Sequence, residues 1–95
     1  MHNIIIRTTI NNETTETILP YEFANQEEAL GFLDEHILVE LDTLYGELKA
    51  LGDRTTALIE PAAHRSMRRT VSGVSRKDGR APIKGTTTVR VERVA

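Results

Sequence analysis

The chain is 95 residues long and 39% apolar, with two Phe, two Tyr and no Trp or Cys. Disulfides and thiolate metal centres are therefore excluded, and no apolar run approaches the ~20 residues of a membrane-spanning helix. The net charge of −2 conceals a division, because residues 1–53 sum to −9 and residues 54–95 to +7. A polarity of that kind creates local potentials that orient charged partners.

Residues 3–10, Asn-Ile-Ile-Ile-Arg-Thr-Thr-Ile, are dominated by β-branched side chains and predict a strand. Asn11-Asn12 tolerates positive φ and predicts a tight turn into a second strand, Glu13–Leu19. Pro20 has no amide hydrogen for the ladder and is expected to end it. Asn25, with Glu28 three positions on, has the spacing of a capping box at a helix start. Leu30, Leu33, Ile37, Leu41, Leu44, Leu48 and Leu51 then recur every three or four residues and form one apolar seam. Leu38 and Tyr45 widen that seam on one side. The helix is expected to reach about Leu51, with Gly52 as a left-handed stop. Gly46 weakens its last turns by about 1 kcal/mol relative to alanine.

Beyond the helix, Thr55–Glu60 reads as a short strand closed by Pro61, and residues 62–66 as a connection. Met67–Ser75 predicts a strand in which Gly73 suggests a bulge. Arg76–Gly85 contains Asp78-Gly79 and Pro82 and predicts a loop. Thr86–Val94 alternates as a final strand. Two strands, a helix and then further strands imply a single α+β domain over residues 1–95. The architecture is an antiparallel sheet of four to five strands, in the order ββαβββ, with one long amphipathic helix across one face. Its core is thin enough that a partner subunit would help.

Two constellations carry functional readings. The first is basic: Arg65, Arg68 and Arg69 crowd the start of the Met67–Ser75 strand, and Arg76, Lys77, Arg80 and Lys84 follow in the loop after it. Guanidinium groups are forked, planar and always charged, which suits phosphate. The alternative is a solvated surface that balances the acidic helix of the same chain. The aromatic residues all lie in the other half, so stacking on single-stranded bases is poorly supported. Gly79-Arg80-Ala81-Pro82, with Gly85 close by, resembles the arm tip of the histone-like DNA-bending family. That family has Gly-Arg-Asn-Pro there and implies a proline wedged at a base step. The likeness is confined to residues 79–85 and Ala81 replaces the asparagine. This chain also opens with strands where that family opens with helices, which points to shared turn chemistry rather than membership.

The second constellation is the back of the helix, where Phe32, His36 and Val39 stand among Glu28, Glu35 and Asp42. Apolar groups opposite the leucine seam suggest a partner or dimer interface, against the plainer reading of scattered surface residues. His36 and Glu40 have a metal-compatible spacing, but two residues are not a site. Ser66, Ser72 and Ser75 lack a nucleophile-elbow context, and no phosphate-cradling glycine loop occurs.

The expectation is therefore a non-enzymatic binding protein with no catalytic residues, metal, cofactor, membrane segment or small-molecule substrate. It would contact nucleic acid, or a polyanionic or nucleoprotein surface, through its basic hairpin region. The rival is a protein–protein module or inhibitor, of the kind phages carry, acting through the acidic helix face as a homodimer. The start, Met1-His2-Asn3, lacks a basic leader region, so cytoplasmic is the default location.

Overall fold

The computed structural model describes residues 2–93. Its elements are β1 (His2–Ile10), β2 (Glu13–Tyr21), α1 (Gln26–Lys49), β3 (Arg54–Ile59), β4 (Arg68–Arg76) and β5 (Ile83–Arg93). The five strands form one antiparallel sheet in the order β2-β1-β5-β4-β3. The α+β reading and its ββαβββ order are thus what the chain adopts. β2 and β3 run in the same direction at opposite edges, so the chain must return across the sheet between them. The 24 residues of α1, ~36 Å at 1.5 Å each, make that return. The helix packs over β3, β4 and β5.

Local chemistry accounts for the boundaries. Asn11 and Asn12 have φ of 51° and 70°, which a two-residue hairpin turn between Ile10 and Glu13 demands. β2 continues through Pro20 to Tyr21, because β2 is an edge strand and Pro20 needs no outward donor. Asn25 caps α1: its Oδ1 accepts from the Glu28 amide at 2.9 Å, and the Glu28 carboxylate accepts from the Ala24 amide at 3.3 Å. The helix ends at Lys49, ahead of expectation, and Ala50 caps it in a right-handed conformation. Gly52 does not take positive φ and Leu51 is 38% exposed, so neither plays its expected part.

The core lies between the helix and one face of the sheet. Leu33, Ile37, Leu44 and Leu48 meet Ile4, Val71 and Val89, with Ile6, Ile10, Leu19, Leu41 and Val91 around them. Gly73 forms no bulge, since β4 and β5 keep an unbroken register through the Gly73–Gly85 pair. Instead, a Cβ at Gly73 would lie 2.7 Å from Leu48 Cδ1, and one at Gly85 would lie 3.0 Å from Leu44 Cδ1. The paired glycines are the notch into which the helix leucines seat.

Candidate functional site

The register decides which cations share a surface. Odd-numbered residues of β4 and β5 face the helix: Arg69, Val71, Gly73 and Ser75, with Gly85, Thr87 and Val89. Even-numbered ones face away: Arg68, Thr70, Ser72, Val74 and Arg76, with Lys84, Thr86, Thr88 and Arg90. Because β1 pairs with β5, Arg7 joins this open face beside Thr88, and Thr9 lies beside Thr86. Because β3 pairs with β4, Arg54 joins it beside Arg76. The result is a face with cations toward both ends and hydroxyls across its middle. Thr9 and Thr14 share a hydrogen bond at 2.8 Å, and Thr70 and Thr88 approach to 3.5 Å. Ile5, on the same face, is only 6% exposed, set between Ile18 and Arg90 in the register. That placement fits the way arginine stems cover apolar surface.

The expected basic residues divide into two groups. Arg65 donates to Gln26 Oε1 at 3.1 Å and Glu27 Oε1 at 3.3 Å, so it is turned toward the start of α1. Arg69 is 8% exposed. Its Nε donates to Asp34 Oδ1 at 2.9 Å, and its Nη1 donates to the carbonyls of Ser66 and Arg68 at 2.5 and 2.8 Å. The expectation that Arg69 meets a phosphate is corrected: it faces the helix, and its donors are consumed inside the molecule. Arg68, Arg76 and Lys84 remain on the open face, and Lys77 and Arg80 lie in the six-residue connection 77–82. Among the described residues, no carboxylate lies within 4.0 Å of any of these five. Arg54 reaches across to Asp78 at 2.9 Å. Gly79 takes φ of +79° within the connection, as its place after Asp78 suggested.

The three strands β1, β4 and β5 gather Arg7, Arg68 and Arg90 around Thr88 in a shallow depression of ≈ 100 Å³. Sequence reasoning missed Arg7, Arg54 and Arg90 as members of this face. Arg7 lies in the acidic half, and only the β1–β5 pairing brings it there. For Arg90 a signal existed, since it shares its even-numbered phase with Thr86 and Thr88.

The expected helix interface is also divided. Phe32 is not opposite the core; it packs on Tyr21 at 4.8 Å, Phe23 at 5.8 Å and His36 at 5.2 Å between ring centres. Both Phe32 and His36 are half-buried, and His36 Nε2 lies 3.2 Å from Glu40. They are therefore corrected from free interface groups to internal packing on the flank toward β2. Val39 is exposed, as are Glu28, Glu35 and Asp42, although Glu28 is engaged in the cap.

Among the described residues, no group of three or more His, Asp or Glu is placed to hold a metal ion. No helix among them is long and apolar enough to cross a membrane. Comparison with family models, curated proteins and solved structures finds no match to this chain.

Proposed function

We propose that this protein binds a phosphate-bearing polymer, a nucleic acid or a nucleoprotein surface, through the open face of its sheet. One observation carries the reading: Arg68, Arg76 and Lys84 stand on that face, and Lys77 and Arg80 at the adjoining hairpin end, with no ion-pair partner among the described residues. Cations held apart from carboxylates are available to displace counterions from phosphates. The hydroxyls of Ser72, Thr86 and Thr88 add donors of the kind that position a backbone without reading sequence. The face displays no Phe, Tyr, Trp or His among its β1, β3, β4 and β5 residues, which favours backbone contact over base stacking.

The test is fluorescence anisotropy with a labelled duplex of about 20 base pairs. Four to five neutralised phosphates correspond to a log–log salt slope of about −4, so affinity should fall roughly 10²- to 10³-fold between 50 and 200 mM salt. Arg68→Glu with Arg76→Glu should weaken binding about 100-fold and flatten the slope by about 2. A flat salt profile, or an unchanged slope in the double variant, rejects the reading.

A second reading, protein contact through the acidic helix, is favoured by Leu38 and Val39, each 55% exposed in mid-helix beside Glu35 and Asp42. Sedimentation over a 100-fold concentration range checks it. A mass that rises for the natural chain and stays monomeric for Glu35→Lys with Asp42→Lys supports self-association; a constant monomer mass removes the dimer.

A further inference from the structure

We propose that the depression over Thr88 is a subsite for one tetrahedral phosphate group, held by Arg7, Arg68 and Arg90; the proposal deepens the polyanion reading and rests on it.

The argument begins with strand pairing. Arg68 and Arg90 are direct cross-strand partners on the open face. Like charges in that position destabilise a sheet. The β4–β5 hairpin relieves the clash only in part, since Arg90 meets Glu92 at 3.5 Å while Arg68 has no carboxylate within 4.0 Å among the described residues. Arg7 enters from the opposite side, directly across from Thr88. Its Nε and Nη2 both donate to Glu16 Oε2, at 2.9 and 2.7 Å, which orients the guanidinium and leaves its remaining donors unassigned. Thr88 lines the same depression, and its hydroxyl is linked to Thr70 at 3.5 Å.

Charge and size then select the occupant. Three guanidinium groups meet Glu16 closely and Glu92 distantly, which leaves a net positive cluster. Three guanidiniums less two carboxylates leave one positive charge, which the single negative charge of a backbone phosphodiester balances. The depression, ≈ 100 Å³ and open to solvent, has room for one tetrahedral oxyanion group at its base. Guanidinium forks match phosphate oxygens pairwise, and the Arg90 side chain, only 32% exposed, is partly desolvated and so less screened than a free surface cation.

The experiment titrates the full chain with inorganic phosphate at pH 7.5, with ionic strength held constant by sodium chloride. Amide chemical shifts and thermal unfolding are both read. Saturable shifts are expected at Arg7, Arg68, Thr88 and Arg90, with the unfolding temperature rising as the logarithm of phosphate concentration above Kd. Arg68→Thr should weaken phosphate at least 10-fold. The same substitution should raise the phosphate-free Tm by about 1–4 °C, because it removes the like-charge pair. Lys49→Ala, in the last turn of α1, should leave phosphate affinity within twofold. Non-saturable shifts, shifts shared equally by all cations, or an Arg68→Thr variant that binds like the natural chain would overturn the subsite.

A labelled duplex separates this outcome from the broader reading. Duplex binding without saturable phosphate binding overturns the subsite and keeps the polymer. Saturable phosphate binding without duplex binding keeps the subsite and assigns it to small phosphorylated ligands.

Discussion

Strands β4 and β5 present two different surfaces from the same residues' alternation. On the helix side, Gly73 faces Gly85 and leaves room for Leu44 and Leu48. On the open side, Arg68 faces Arg90 and leaves a repulsion that Glu92 offsets only on the Arg90 side. The first pair is chosen by packing, because a Cβ at Gly73 would collide with the core and one at Gly85 would crowd it. The second pair is opposed to stability, because opposite or neutral partners would suit the sheet better. A pairing that costs the fold something, on a surface that packing does not constrain, is where function should be sought.

The contrast is broken most sharply at Gly73. A valine there drives its Cβ against Leu48 Cδ1 and the Thr56 carbonyl, at 2.7 and 2.8 Å before the rest of the side chain is added. One contact is with backbone, so relaxation is limited. Gly73→Val should cost about 3 kcal/mol or more, at the upper end of overpacking effects. Ser72→Val, one residue away on the open face, should lie within about 0.5 kcal/mol of the natural chain. Urea midpoints measured on the two variants check the difference. Equal midpoints would mean that α1 does not seat on the glycine notch.

Adjacent arginines sharpen the same contrast at lower energy. Arg68 and Arg69 are neighbours in sequence and lie on opposite faces. Arg69→Met keeps much of the apolar stem but removes the donors to Ser66, Arg68 and Asp34. Asp34 is exposed and can turn to water, so the loss is confined mainly to the two carbonyls. A destabilisation of about 1–2 kcal/mol is expected, with duplex affinity at fixed salt unchanged within twofold. Arg68→Thr should show the inverse, with stability slightly raised and binding weakened. Chemical denaturation and anisotropy on both variants give the two readouts. Binding lost in Arg69→Met at full foldedness would overthrow the assignment of faces.

This pair also explains how far the amino-acid sequence can be read. The strands, the hairpin turn, the Asn25 cap and the leucine seam follow from local chemistry, and each was legible: β-branched runs, turn asparagines, a capping spacing, a 3–4 repeat. Arg65, Arg68 and Arg69 looked alike as a basic run, because charge alone does not state which way a side chain points. Alternation separates Arg68 from Arg69 once a strand is assumed. Only Asp34, some thirty-five positions earlier, identifies Arg69 as the internal member. Arg7 was hidden for a longer-range reason, since the order β2-β1-β5-β4-β3 is set by how α1 crosses the sheet. Gly73 was misread as a bulge because a glycine in a strand has two causes, backbone distortion and close approach, and composition does not distinguish them.

The smallest effect concerns the turn that fixes how β2 lies against β1. Asn11 and Asn12 both hold positive φ, and the second such position in a two-residue hairpin favours glycine. Asn12→Gly removes the remaining left-handed strain, while glycine's greater freedom in the unfolded chain offsets part of the gain. A net stabilisation of about 0.5 kcal/mol is expected, seen as a higher urea midpoint. The register Ile10 to Glu13 places Glu16 opposite Arg7. A one-residue slip would carry Glu16 to the helix side and strip Arg7 of its partner. Asn12→Gly should preserve that pairing, so phosphate affinity at the Thr88 depression should stay within twofold. If affinity rises together with stability, Arg7 has been released from Glu16, and the register of β2 is held by something other than this turn.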